Sequence, residues 1–141
     1  MTFDKVIKHF GNRSLRVKDV RRYLEGGGDV NCHGGNMSWT LLHFSAEDCD
    51  AEMIKLLAAH GANLNARDQN GWTPLHLAVD ADMDTSSRGA RRATELPTVQ
   101  TLIELGADER VKADDGSTPR DIAVRYDQAG LYDSLLRPRA A

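Results

Sequence analysis

The chain repeats itself, and that repeat restricts its fold more than any other feature. Thr40-Leu41-Leu42-His43-Phe44-Ser45-Ala46 returns 33 residues later as Thr73-Pro74-Leu75-His76-Leu77-Ala78-Val79. A third copy, Thr118-Pro119-Arg120-Asp121-Ile122-Ala123, begins 45 residues after the second. A second motif keeps step with the first: Gly27-Gly28-Asp29-Val30-Asn31, Gly61-Ala62-Asn63-Leu64-Asn65 and Gly106-Ala107-Asp108-Glu109-Arg110. Its last residue precedes each threonine by nine, eight and eight residues. Self-similarity at such a period marks stacked supersecondary units, each burying its apolar face against its neighbours.

Local chemistry predicts what each unit is. The sets Val20/Tyr23/Leu24, Ile54/Leu57/Ala58 and Val99/Leu102/Ile103 have the i, i+3, i+4 spacing of one helix face. Leu131 and Leu135 fit a further helix. Thr73 is suited to cap a helix and Pro74 to open it. Gly61 and Gly106 follow apolar helices, where glycine adopts the left-handed terminating conformation without a Cβ penalty. Asn70-Gly71 and Asp115-Gly116 are tight-turn dipeptides. The expected unit is helix, short link, helix, then a turn projecting toward the next unit.

Thr73-Pro74-Leu75-His76-Leu77-Ala78 matches all six positions of the Thr-Pro-Leu-His-x-Ala signature, and with the 33-residue period the chain resembles the ankyrin repeat family. The resemblance covers about residues 15–137. It implies an all-α repeat solenoid, an ankyrin-repeat array of about four helix-turn-helix units with capping terminal repeats. The expected units within one domain, residues 1–141, are 3–31, 32–65, 66–110 and 111–137. Residues 4–10 and 15–25 form the expected N-terminal cap. Leu41 stands where the signature has proline, so the start of that helix is expected to be less rigid. In the last copy Arg120 and Asp121 replace the leucine and histidine, which suits an outer helix that no further repeat covers.

The third unit carries an insertion. His43 to Gly61 spans 18 residues and His76 to Gly106 spans 30, leaving 12 extra somewhere in 80–97. Pro97 is expected to open the helix that follows. A tolerated loop and a partner-reaching loop both fit, since doubling a loop costs only about 0.6 kcal/mol in closure entropy and array insertions collect on one face.

Charge and composition narrow the function. Eighteen basic and 21 acidic residues give −3, and the Arg88, Arg91 and Arg92 cluster closely follows Asp80, Asp82 and Asp84. This is not the basic stripe of a nucleic-acid binder. No apolar run approaches the roughly 20 residues that span a bilayer. Residues 1–10 lack the apolar core of a signal peptide. Cys32 and Cys49 are too few for a disulfide framework, so a cytoplasmic location is expected.

No chemistry-bearing constellation stands out. His43, His60, His76, Cys32 and Cys49 lack metal-ligand spacing, and the resemblance implies that His43 and His76 tie turns together by hydrogen bonds. Asp80, Asp82 and Asp84 lack the glycine and distal glutamate of a calcium loop and read as solvated acidic surface. Gly26-Gly27-Gly28 has no following lysine and reads as a helix end. Neither catalytic residue, metal nor cofactor is expected.

What remains is binding. The resemblance implies a protein–protein interaction module, monomeric on its own, that meets another protein through turn tips and the concave face. The candidate contacts are His33, Met37 and Trp39 in one turn, Arg67, Gln69, Asn70 and Trp72 in the next, and Lys112, Asp114 and Asp115 in the third. Asp80 and Asp82 are expected to edge the groove. Trp39 and Trp72 share one repeat position, where packing between turns and partner contact are both open. A dedicated inhibitor or immunity protein blocking a toxin or enzyme is the narrower alternative; an enzyme, a metal protein and a structural subunit are the rivals.

Overall fold

Three threonines start the repeating helices by the same device. Thr40, Thr73 and Thr118 each accept a hydrogen bond from the backbone N–H three residues on, and the side chains of His43, His76 and Asp121 accept from the threonine N–H in return. This reciprocal box satisfies two donors that a helix start otherwise leaves orphaned. Leu41 in place of proline leaves the box intact.

The computed structural model describes residues 1–10, 13–84 and 95–136. Among these the chain forms α1 (Phe3–Lys8), α2 (Arg13–Glu25), α3 (Leu41–Glu47), α4 (Ala51–Ala59), α5 (Pro74–Met83), α6 (Pro97–Glu104), α7 (Pro119–Arg125) and α8 (Ala129–Leu136). The helices pair as α1–α2, α3–α4, α5–α6 and α7–α8, while α3, α5 and α7 pack side by side in one layer and α4 meets α6 in a second. The result is an all-α repeat array. Pro97 opens α6 as expected, whereas most of the insertion, residues 85–94, lies outside the described residues.

Helix ends follow from glycine. Gly61 and Gly106 take φ of +85° and +102°, and the next amides, Ala62 and Ala107, reach back to the carbonyls of Leu57 and Leu102 at 3.0 Å. The core runs the length of the array through Val20, Leu42, Ile54, Leu57, Leu75, Val79, Val99, Leu102 and Ile122. Leu131 and Leu135 fall in the last helix as expected, half-buried against the core, and Tyr132 is the buried residue of α8. A terminal helix packed mainly against α7 covers a narrower stripe than one flanked on both sides.

The second sequence motif proves to be a ladder between units. Asn31 Oδ1 accepts from the Asn63 amide at 2.7 Å, and Asn65 Oδ1 accepts from the Asp108 amide at 2.8 Å. Arg110 takes this position in the third copy. Spacing alone did not reveal that these asparagines reach across units.

Candidate functional site

The candidate surface is built from the turns preceding the three threonine caps. In the first, Gly34 and Trp39 exchange two backbone hydrogen bonds of 2.9 and 3.0 Å. In the second, Asp68 N donates to the Trp72 carbonyl at 2.8 Å, and Asp68 Oδ1 accepts from the amides of Asn70 and Trp72. In the third, Ala113 N donates to the Ser117 carbonyl, and Asp115 Oδ1 accepts from the Ser117 amide. Backbone bonds thus hold the first tip in shape, and an aspartate adds to them in the second and third.

Two backbone hydrogen bonds join the tips into a row. Gln69 N donates to the Met37 carbonyl and Asp114 N to the Asn70 carbonyl, each at 3.0 Å. Arg67 adds an ion pair to Asp114 at 3.1 Å, and the Trp39 indole N–H donates to Asp68 Oδ2 at 3.0 Å. His33, Arg67, Gln69, Asn70, Lys112, Asp114 and Asp115 are exposed along this row, with Met37, Trp39 and Trp72 half-buried among them. Asn70, Trp72, Asp114 and Asp115 line a hollow of about 340 Å³.

The histidines stand behind the turns and bolt them to the helices. His43 Nε2 lies 2.9 Å from the Trp72 carbonyl and His76 Nε2 lies 2.8 Å from the Ser117 carbonyl. A carbonyl only accepts, so Nε2 carries the proton and Nδ1 accepts from Thr40 or Thr73 N–H, at 3.2 and 3.1 Å. Burial pushes both imidazoles below the ordinary histidine value. The interlocking role implied by the resemblance is therefore seen. Their rings also face the adjacent indoles, Trp39 with His43 and Trp72 with His76.

Asp80 and Asp82 do not join the row; both sit on α5. Asp80 is half-buried and accepts from the Tyr126 hydroxyl at 2.7 Å. Asp82 corrects the expectation of solvated acidic surface, for it is only 4% exposed. Its Oδ2 accepts from the amides of Thr98 and Val99 at 3.0 Å each. The reason lies in α6, whose N-cap residue Leu96 makes no side-chain cap; a carboxylate from α5 satisfies those orphan donors instead. Burial nevertheless raises the Asp82 carboxyl above its ordinary value. Beside it, burial pushes the Cys49 thiol up to about 11, which keeps it protonated and unreactive at neutral pH.

Gly71 lets the second and third turns approach. Its φ is +76°, and a Cβ there would stand 2.5 Å from Arg67 Nη2 and 2.9 Å from the Asp114 amide. Gly71→Ala is expected to lower stability by about 1–3 kcal/mol through backbone strain and this clash. Gly116→Ala, at φ +84° with open space around it, should cost less. Urea unfolding of the two variants checks the order; equal losses would contradict a close approach at Gly71.

Comparison with known proteins adds to this geometry. A family model for ankyrin repeats in three copies matches residues 14–88, and a model for a single ankyrin repeat matches residues 70–114. Protein phosphatase 1 regulatory subunit 27 of Mus musculus is 36% identical over 81 residues, 57% of this chain and 45% of that protein. The B-cell lymphoma 3 protein homolog of Mus musculus is 34% identical over 100 residues, 71% of this chain and 20% of that protein. The neurogenic locus Notch protein of Drosophila melanogaster is 30% identical over 126 residues, 89% of this chain and 4% of that protein. The chain thus spans less than half the length of each of these relatives.

Proposed function

Because the chain belongs to the ankyrin repeat family, we propose that it acts by binding another protein through its row of turn tips and the adjoining concave face, and not by catalysis. The observation that carries this reading is the hydrogen bonding that joins the row. Its tips are hydrogen-bonded to one another, and His43 and His76 bolt the second and third from behind, yet the row carries exposed polar side chains and half-buried tryptophans. A surface ordered before contact loses little conformational entropy on binding, and half-buried tryptophans are frequent energetic anchors. Relatives named as phosphatase regulatory subunits support a finer version, in which the bound partner is an enzyme that this chain regulates or blocks. The protein does this as a monomer in the cytoplasm.

The test is capture from native lysate with the intact chain, with Trp39→Ala/Trp72→Ala, and with Gln69→Ala/Lys112→Glu. The second pair alters only exposed side chains, and circular dichroism checks that each variant is folded. One dominant protein held by the intact chain and reduced at least tenfold by both folded variants is the expected result. A deletion of residues 85–92, sparing the capping carboxylate of Asp82, asks whether the insertion contributes. Undiminished capture by both surface variants would move the interface elsewhere.

A further inference from the structure

Successive turns treat their tryptophans differently. Trp39 gives its indole N–H to Asp68 in the following turn. Alignment of the repeats places Ala113 where Asp68 stands, so the turn following Trp72 offers a methyl group instead of a carboxylate. The Trp72 indole N–H makes no hydrogen bond among the described residues, although the ring is half-buried against His76. Trp72 also lines the 340 Å³ hollow with Asn70, Asp114 and Asp115.

We infer that this hollow receives an arginine side chain from an extended segment of the partner, whose backbone carbonyl accepts the Trp72 indole N–H. The inference rests on the protein-binding reading above and deepens it. A tryptophan with two carboxylates beside it suits a planar guanidinium, which can stack and hydrogen-bond as a fork. An acidic side chain would meet two like charges, and an apolar one would offer no donor to the two carboxylates or the Asn70 side-chain oxygen. Arg67 and Arg125 bind Asp114 and Asp115 at 3.1 and 3.4 Å but do not line the hollow. Both pairs are about half exposed, so they are weak and leave the carboxylates able to take a further cation. The Asp115 carboxyl is held below its ordinary value by the Ser117 amide and hydroxyl and by Arg125, and stays ionised.

The experiment is an NMR titration of the full chain carrying ¹⁵N-tryptophan, its two indole resonances assigned with Trp39→Phe and Trp72→Phe. The probe is the capped pentapeptide Gly-Ala-Arg-Ala-Gly, with citrulline and glutamate replacing arginine in two controls. Citrulline keeps the shape of arginine without its charge. The expected result is a saturable shift of the Trp72 indole alone, with binding at least fivefold weaker for the citrulline peptide and for Asp115→Asn. That variant keeps the oxygen that accepts from Ser117. An unmoved Trp72 indole, or equal response to the citrulline or glutamate peptide, overturns the inference. If the surface variants still lose a captured protein while the indole ignores arginine, binding by the row stands and this inference alone falls.

Discussion

Arg16→Ala is expected to cost about 3 kcal/mol or more, a large share of the stability of a chain this size. The Arg16 side chain is fully buried. It donates to the Phe10 carbonyl at 2.9 Å, to Asp50 Oδ2 at 2.6 Å and to the Asp48 carboxylate, and its guanidinium lies 5.2 Å from the centre of the Phe10 ring. One side chain thus joins α2, the end of the first helical pair's link, and the link between α3 and α4. Truncation leaves a buried carbonyl and the carboxylate of Asp50, only 14% exposed, without their cation. Asp48 is 41% exposed and water relieves part of its loss, which sets the figure at the lower end of the range for broken buried pairs. Arg16→Lys should fall between, since an ammonium keeps the charge but cannot fork toward three acceptors. Urea unfolding followed by circular dichroism measures all three proteins; a loss below about 1 kcal/mol for the alanine variant would show the network to be dispensable.

Stability should also fall as the solution is acidified below the ordinary histidine value. His43 and His76 are both depressed by burial in the folded chain. Above about pH 6.5 each is neutral in folded and unfolded states alike, and the hydrogen-bonded joints are fully in place. Below it the unfolded chain takes up protons that the folded chain refuses, and each histidine removes up to about 1.4 kcal/mol per pH unit. The loss ends once the pH has passed below the folded-state values. Protonation would place a hydrogen on Nδ1 facing the threonine N–H it now accepts from. Asp82 opposes this trend, because its raised carboxyl favours proton uptake by the folded state as the pH falls toward it. Following the His43 and His76 ring resonances with pH separates the effects, with midpoints expected below 6.5. Midpoints at or above that value would contradict the neutral, buried assignment.

Much of this architecture was legible because its causes are local. A threonine at a helix start caps it with a residue only three positions on, and a glycine after an apolar helix ends it. The features that escaped are those whose partners lie far along the chain. Nothing local to Arg16 marks it as buried, because its carboxylates are 32 and 34 residues away. Asp82 lies in an acidic stretch, and only the fold brings the bare start of α6 to it from 16 residues on. Asn31 and Asn65 were visible as parts of a motif, but their cross-unit bonds span 32 and 43 residues. At the candidate surface, sequence placed the turns in order; their joining by the Gln69–Met37 and Asp114–Asn70 backbone bonds required coordinates.

The joints between units are chemically interchangeable. His43 reaching the Trp72 carbonyl and His76 reaching the Ser117 carbonyl are one coupling used twice, and Asn31 and Asn65 repeat another. A part with the same plug at one end and the same socket at the other can be copied into the row without redesigning its neighbours. The length of the row of turn tips is therefore an adjustable property of this fold, set by how many copies are strung together, while the chemistry of each tip varies independently.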